Sequence, residues 1–197
     1  MLENAIAAMD AQLRTLGNPS SLHTQGRHTR KDVEDAREVI AKAVGSLPSE
    51  IIFTGSGTEA DNAAIKGLFW KSGRKVIVIS AIEHHAVLDP ARWLVEHEGA
   101  ELIEIPVTKT GLIDLGFLKD LIAKRGNEIA LVSLMWANNE TGSVTDIARA
   151  GELCREHGVR FHTDAPIIPF FSVQSARYAV KRDRWNDVDL AVYYHPA

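Results

Sequence analysis

"KVIVIS" (Lys75–Ser80) is the stretch on which the fold turns. Val76 to Ile79 are β-branched and apolar without a break, and lack the apolar–polar alternation of a half-exposed strand. Such a run suits a strand covered on both faces, as in a parallel sheet. Toward the C-terminus the pattern alternates. A helix is expected over Ala86–His97, a strand at "AELIEIPV" (Ala100–Val107), and a helix over Asp114–Lys124. A strand at "EIALVSLMW" (Glu128–Trp136), a helix over Asp146–His157 and a strand at "VRFHTDA" (Val159–Ala165) follow. Toward the N-terminus the expectations are a helix over Thr58–Trp70, a short strand over Ile51–Thr54 and a helix over Thr29–Gly45. On that helix Val33, Arg37, Ile40 and Val44 share a stripe. A first helix over Leu2–Leu16 is stopped by "GNPSS". Strands separated by helices imply right-handed βαβ units, so the expected class is α/β, a mostly parallel sheet flanked by helices.

Composition narrows the function classes. A chain of 197 residues, 45% hydrophobic, can build one medium domain with a real core. A net charge of -4 gives no reason to expect nucleic acid or an anionic membrane as partner. No apolar run reaches the roughly eighteen residues a membrane span needs. The N-terminal segment carries Glu3 and Asp10 and lacks a basic start, so it does not read as a signal peptide. A single cysteine, Cys154, excludes an intrachain disulfide and fits a reducing, cytoplasmic setting.

Ligands of such sheets collect beyond the carboxyl ends of the strands. Four places qualify here: 54–57, 81–84, 136–139 and 162–164, and they hold the most polar, chemically capable residues of the chain. Gly55 and Gly57 allow unusual backbone conformations and close approach of an anion. Thr58 then opens a helix, whose free N–H groups and dipole favour a phosphate. Two ligands compete at this point. Gly55 to Ala60 matches G-x-G-x-x-A, and Glu83 stands roughly where an acid would meet the ribose of NAD. The alternative is a phosphate cup for a smaller cofactor, and a tight turn without ligand is the plain reading. Asp164, at a strand end, can pair with the ring nitrogen of pyridoxal phosphate (PLP), or can be a cap or surface acid. His84 or His85 can stack on a flat ring and move protons near neutral pH. Asn138 and Asn139 can donate to phenolic or carboxylate oxygens, or belong to an ordinary turn. His84, His85, His162 and Asp164 are competent metal ligands, but none has a signature spacing, so no metal is expected.

Six segments carry a resemblance. They are "GNPSSLHTQGR" (Gly17–Arg27), "FTGSGTEADNAAIKG" (Phe53–Gly67), "IEHHAVLDPARWL" (Ile82–Leu94), "GLIDL" (Gly111–Leu115), "MWANNETGSVTDIA" (Met135–Ala148) and "RFHTDA" (Arg160–Ala165). In order and approximate spacing the chain resembles the cysteine desulfurases of the NifS/IscS group, class V, fold-type I PLP enzymes. The resemblance implies a PLP-binding large domain and an activity that takes sulfur from L-cysteine, leaves alanine and passes a persulfide on for iron–sulfur clusters and thio-cofactors. It implies a homodimer and a sulfur-acceptor or scaffold protein as partner. By position, Gly57 and Thr58 are similar to the phosphate-binding pair, and His84 to the histidine on the PLP ring. Asn139 is similar to the asparagine near the ring hydroxyl and substrate carboxylate, and Asp164 to the acid under the pyridine nitrogen.

The chain also departs from that family. Ile167 stands where a glutamine is expected, and no Ser-x-His-Lys segment with its Schiff-base lysine follows. In "VDLAVYYHP" (Val188–Pro196) Pro196 takes the lysine's place, and Lys181 comes too early. Cys154, inside a helix, reads as a packed residue and not as the persulfide carrier. The expected organisation is therefore an N-terminal helix and loop segment (1–28), a PLP-binding α/β core (29–165) and a diverged tail (166–197), with the family domain cut at both ends.

Overall fold

The computed structural model describes residues 3–165 and 190–192. They form two compact units that divide after Phe53. In the first, helix α1 (Glu3–Leu13) is followed by helix α2 (Thr24–Val44) and a 3-10 turn at Pro48–Glu50. Helix α2 starts five residues earlier than its apolar stripe suggests, because Gly26 lies against the preceding loop. A Cβ there would sit 2.6 Å from the carbonyl oxygens of Asn18 and Ser21. The strand expected over Ile51–Thr54 does not form. Arg37 reaches across instead: one guanidinium N–H donates to the Ile51 carbonyl, and the group lies 4.8 Å from the centroid of the Phe53 ring. The segment stays extended with no strand beside it among the described residues.

The second unit contains a parallel sheet. Helix α3 (Gly57–Ser72) leads to strand β1 (Val76–Ser80), helix α4 (His85–Glu98), strand β2 (Glu101–Ile105) and helix α5 (Leu115–Arg125). Strand β3 (Ile129–Ser133), helix α6 (Ile147–Glu156), strand β4 (Phe161–Asp164) and strand β5 (Leu190–Val192) complete it. The strand order is β2-β1-β3-β4-β5, and every adjacent pair is parallel. Within the tail whose sequence diverges, Leu190–Val192 aligns beside His162–Asp164 as the fifth strand. Ile167, Lys181 and Pro196 lie outside the described residues.

The unbroken apolar run of β1 is explained by its two neighbours. Val76 and Val78 face α5 and α6, together with Leu118, Ile122, Ile147 and Phe161. Ile77 and Ile79 face α3 and α4, with Ile65, Phe69, Val87 and Leu94. Side chains alternate across a strand, so burial on both faces demands apolar residues at every position. Helices start and stop where local chemistry directs them. Ser56, His84, Asp114 and Asp146 cap four N-termini with side-chain acceptors. Gly45, Gly73 and Gly99, at φ of 73, 67 and 67°, close three C-termini.

Phe161 is fully buried where β4 meets α6. Phe161→Ala is expected to cost about 3–5 kcal/mol, read as a lower urea midpoint. Leu112→Ala, on an exposed loop residue, is expected to stay within about 0.5 kcal/mol of the parent.

Candidate functional site

The start of α3 is a built turn. The Ser56 hydroxyl accepts from the Glu59 N–H at 3.1 Å, and the Glu59 carboxylate reaches back to the Gly55 N–H at 2.7 Å. The Thr54 hydroxyl donates to the Ser56 carbonyl at 2.9 Å. Neither Gly55 nor Gly57 adopts a left-handed backbone, so the conformational reason for glycine fails at both positions. Close approach to the backbone remains. Among the described residues, the N–H groups of Gly57 and Thr58 have no hydrogen-bond partner. They open a helix of 16 residues, where the dipole favours an anion.

The loop after β1 splits its residues between two jobs. His84 caps α4: its Nδ1 accepts from the Ala86 N–H at 3.1 Å, while the residue remains exposed. His85 turns outward and pairs with Asp89 at 3.1 Å on the same helix. Glu83 points inward. Its Oε1 accepts from the Ser80 hydroxyl and from the Met135 N–H at 2.8 Å, and its buried Oε2 has no partner among the described residues. The ribose reading therefore loses its acid.

The loop after β3 is organised by the first of its two asparagines. Asn138 is buried. Its Nδ2 donates to the Ile82 carbonyl at 2.8 Å, tying this loop to the one after β1. Its Oδ1 accepts from the N–H groups of Glu140 and Thr141, both at 2.9 Å. Asn139 is exposed, and its amide is uncommitted among the described residues.

Strand β4 contributes the acid. Asp164 is 5% exposed, and its carboxyl has no hydrogen bond among the described residues. Its carbonyl accepts from the Trp136 N–H at 3.0 Å, which fixes it beside the β3 loop. His162, two residues earlier and on the same face, is fully buried. Its Nδ1 lies 2.8 Å from the Ser133 hydroxyl, and its Nε2 lies 3.5 Å from Oδ1 of Asp61 on α3. That last contact brings the start of α3 to the end of β4, so all four predicted loops converge on one rim. Ser133, His162 and Asp61 follow the order of a hydrolytic triad, but the serine and histidine are sealed between helix and sheet. A cavity of about 240 Å³, lined by Lys71, Arg74, Ala130 and Arg160 among others, lies at the opposite, amino-terminal rim. It contains none of the predicted residues. Cys154 is buried within α6, away from the rim.

Reading strand ends alone misses Asp61, although a signal exists. It lies on the face of α3 that buries Ala64, Ile65 and Phe69, where an acid has no business unless it meets a polar group. Burial shapes the chemistry. The Glu83 carboxyl rises from its ordinary 4.5 to about 8, chiefly by desolvation, against the pull of its two donors. Asp164 rises from 3.8 to about 7, by desolvation first and by the nearby Asp61 charge second. Both acids hold their protons more tightly when folded. The stability they contribute is complete below about pH 4 and is lost as the pH climbs through about 7 and 8. Resistance to urea is therefore expected to fall between about pH 5 and pH 8, by several kcal/mol at most, shared about equally by the two acids. Glu83→Gln, which keeps the shape without the charge, is expected to remove about half of that slope and to leave the part due to Asp164.

A family model described as "Aminotransferase class-V" matches residues 1–167. The chain is 48% identical over 166 residues to an IscS-like cysteine desulfurase of Mycobacterium tuberculosis, covering 82% of this chain and 42% of that protein. A solved "NifS-like protein" superimposes with a TM-score of 0.79 at 30% identity, over 84% of this chain and 46% of the other. A solved structure of "SspA in complex with cysteine" gives 0.77 at 32% identity, over 84% and 47%. The chain thus spans less than half the length of these relatives. With its parallel sheet, its flanking helices and its rim of polar loops, the chain belongs to the class-V aminotransferase family, among sequences similar to the NifS/IscS cysteine desulfurases.

Proposed function

We propose that this chain supplies the PLP-binding face of a cysteine desulfurase. One observation carries the reading. A buried carboxyl, Asp164, stands without a counter-ion among the described residues, at the rim where α3 presents free amides. A carboxyl in that state calls for a cationic ring N–H. The donor set fits the group. The Gly57 and Thr58 N–H groups and the Thr58 hydroxyl would hold the phosphate, and the exposed His84 side chain would hold the flat ring. Asn139 offers its amide to the phenolic oxygen and to the substrate carboxylate. Asp164 would favour a protonated ring nitrogen. Bound PLP supplies an electron sink for a carbanion at the substrate α-carbon. The substrate is L-cysteine, in line with the cysteine complex of one structural neighbour. Alanine and a persulfide sulfur are the products.

Turnover needs two more groups, a lysine that holds the cofactor covalently and a thiolate that takes the sulfur. Among the residues given, Pro196 stands where the lysine is expected, and the cysteine present, Cys154, is buried. We infer that residues 1–197, taken alone, bind PLP without covalent attachment and do not release sulfur from cysteine. Titration of the purified chain with PLP is expected to give a saturable absorbance change that borohydride does not fix onto the protein. Asp164→Asn is expected to weaken binding by about 10- to 100-fold, as for loss of a charge-assisted hydrogen bond. Sulfide release from L-cysteine in the presence of dithiothreitol would overturn the second half of this reading.

A second reading has support in the first unit. Ile6, Met9 and Leu13 of α1 and Val39 of α2 are exposed apolar residues. Burying such surface against another subunit is favourable. The chain would then dock, without catalysis of its own, on an intact desulfurase subunit. Co-purification with a full-length relative is expected in that case, and is lost with Met9→Asp and Leu13→Asp together.

A further inference from the structure

We propose that Asp61 is a positioning residue that sets the charge of Asp164, working within one buried cluster that includes His162. The proposal rests on the reading of Asp164 as the group that meets the cofactor ring, but its first test does not need the cofactor.

Geometry puts Asp61 in place. It lies one helical turn beyond Gly57 and is 1% exposed. Its Oδ1 sits 3.5 Å from His162 Nε2, and neither atom has a closer polar partner among the described residues. His162 and Asp164 alternate with Phe161 and Thr163 along β4, so both point to the side from which α3 approaches. Phe161 joins the apolar cluster of α5 and α6, and the Thr163 hydroxyl donates to the Leu134 carbonyl at 2.7 Å, as this division of the strand's faces requires.

The surroundings make the charge of Asp61 count. From the β1 loop comes Glu83, already bound to Ser80 and Met135. From β3 comes the uncharged Ser133 hydroxyl, held against His162. From β4 comes His162 itself. Among the described residues, no lysine or arginine pairs with Asp61 or Asp164. Asp61 is thus the carboxyl that faces β4 from the helix side, and a like charge there disfavours ionisation of Asp164. The same charge favours a positively charged ring nitrogen once one is present. Asp61 touches neither the ring nor the substrate in this scheme. It acts through the carboxyl that does.

Carbon-13 NMR of the aspartate carboxyls decides the matter in the unloaded chain. The Asp164 signal is identified by its loss in Asp164→Asn. In Asp61→Asn, the titration midpoint of Asp164 is expected to fall by about one unit, whereas Ser133→Ala leaves it in place. Should Asp61→Asn fail to fold by circular dichroism, Asp61→Ser carries the same expectation with a smaller neutral side chain. The second arm uses pyridoxine 5'-phosphate, which cannot attach covalently and whose fluorescence follows protonation of its ring. The pH at which the bound ring loses its proton is expected to drop in Asp61→Asn. An unchanged Asp164 midpoint in a folded neutral variant would overturn the proposal. If the wild-type chain does not bind the probe at all, the cofactor reading fails while the carboxyl titration still judges Asp61.

Discussion

Three carboxyl groups share the interior beneath one rim of the sheet, and a dry interior tolerates few charges. Asp61, Glu83 and Asp164 reach it from a helix, a loop and a strand end. Each copes differently. Glu83 takes two donors, and burial pushes it toward the neutral form. Asp61 is set against His162. Among the described residues, nothing balances Asp164. The alternation of β4 produces this arrangement, because a strand that buries Phe161 on one face must direct His162 and Asp164 to the other. The rest of the rim is arranged around that group.

The connections among the loops are side chain to backbone, or backbone to backbone. Asn138 bonds to Ile82, Glu83 to Met135, and the Trp136 amide to the Asp164 carbonyl. These bonds fix loop positions while using none of the side chains that face outward. The two adjacent asparagines show the division most clearly. Asn138 is consumed in holding its turn, and Asn139 beside it keeps its amide unengaged among the described residues. His84 and His85 divide in the same way, since one caps a helix at the rim and the other pairs along the helix surface.

The sheet is legible in the sequence because burial on both faces leaves a plain mark. "KVIVIS" and "EIALVS" can be little else when helical patterns lie between them. Segment Ile51–Thr54 misleads for the same reason. It carries the right residues, but apolar character does not supply a neighbour to pair with. Strand β5 fails from the opposite side: three residues give no periodicity to read, and only a faint likeness of "VDLAVYYHP" to a strand of the related enzymes points to it. At the rim, polar residues at strand ends can be found from topology alone. The second tier cannot. Ser133 and His162 look like ordinary strand residues until the fold shows that they touch. The conformational argument for glycine does not hold, as neither Gly55 nor Gly57 has a left-handed backbone.

The turn before α3 is not bare when empty. Glu59 bends back so that its own carboxylate occupies the Gly55 amide. The Gly57 and Thr58 amides beside it stay unengaged among the described residues, so the carboxylate satisfies one donor of the turn and leaves the next two open. Any anion drawn to those two amides would sit beside a carboxylate, and the repulsion between like charges would offset part of what the helix start offers.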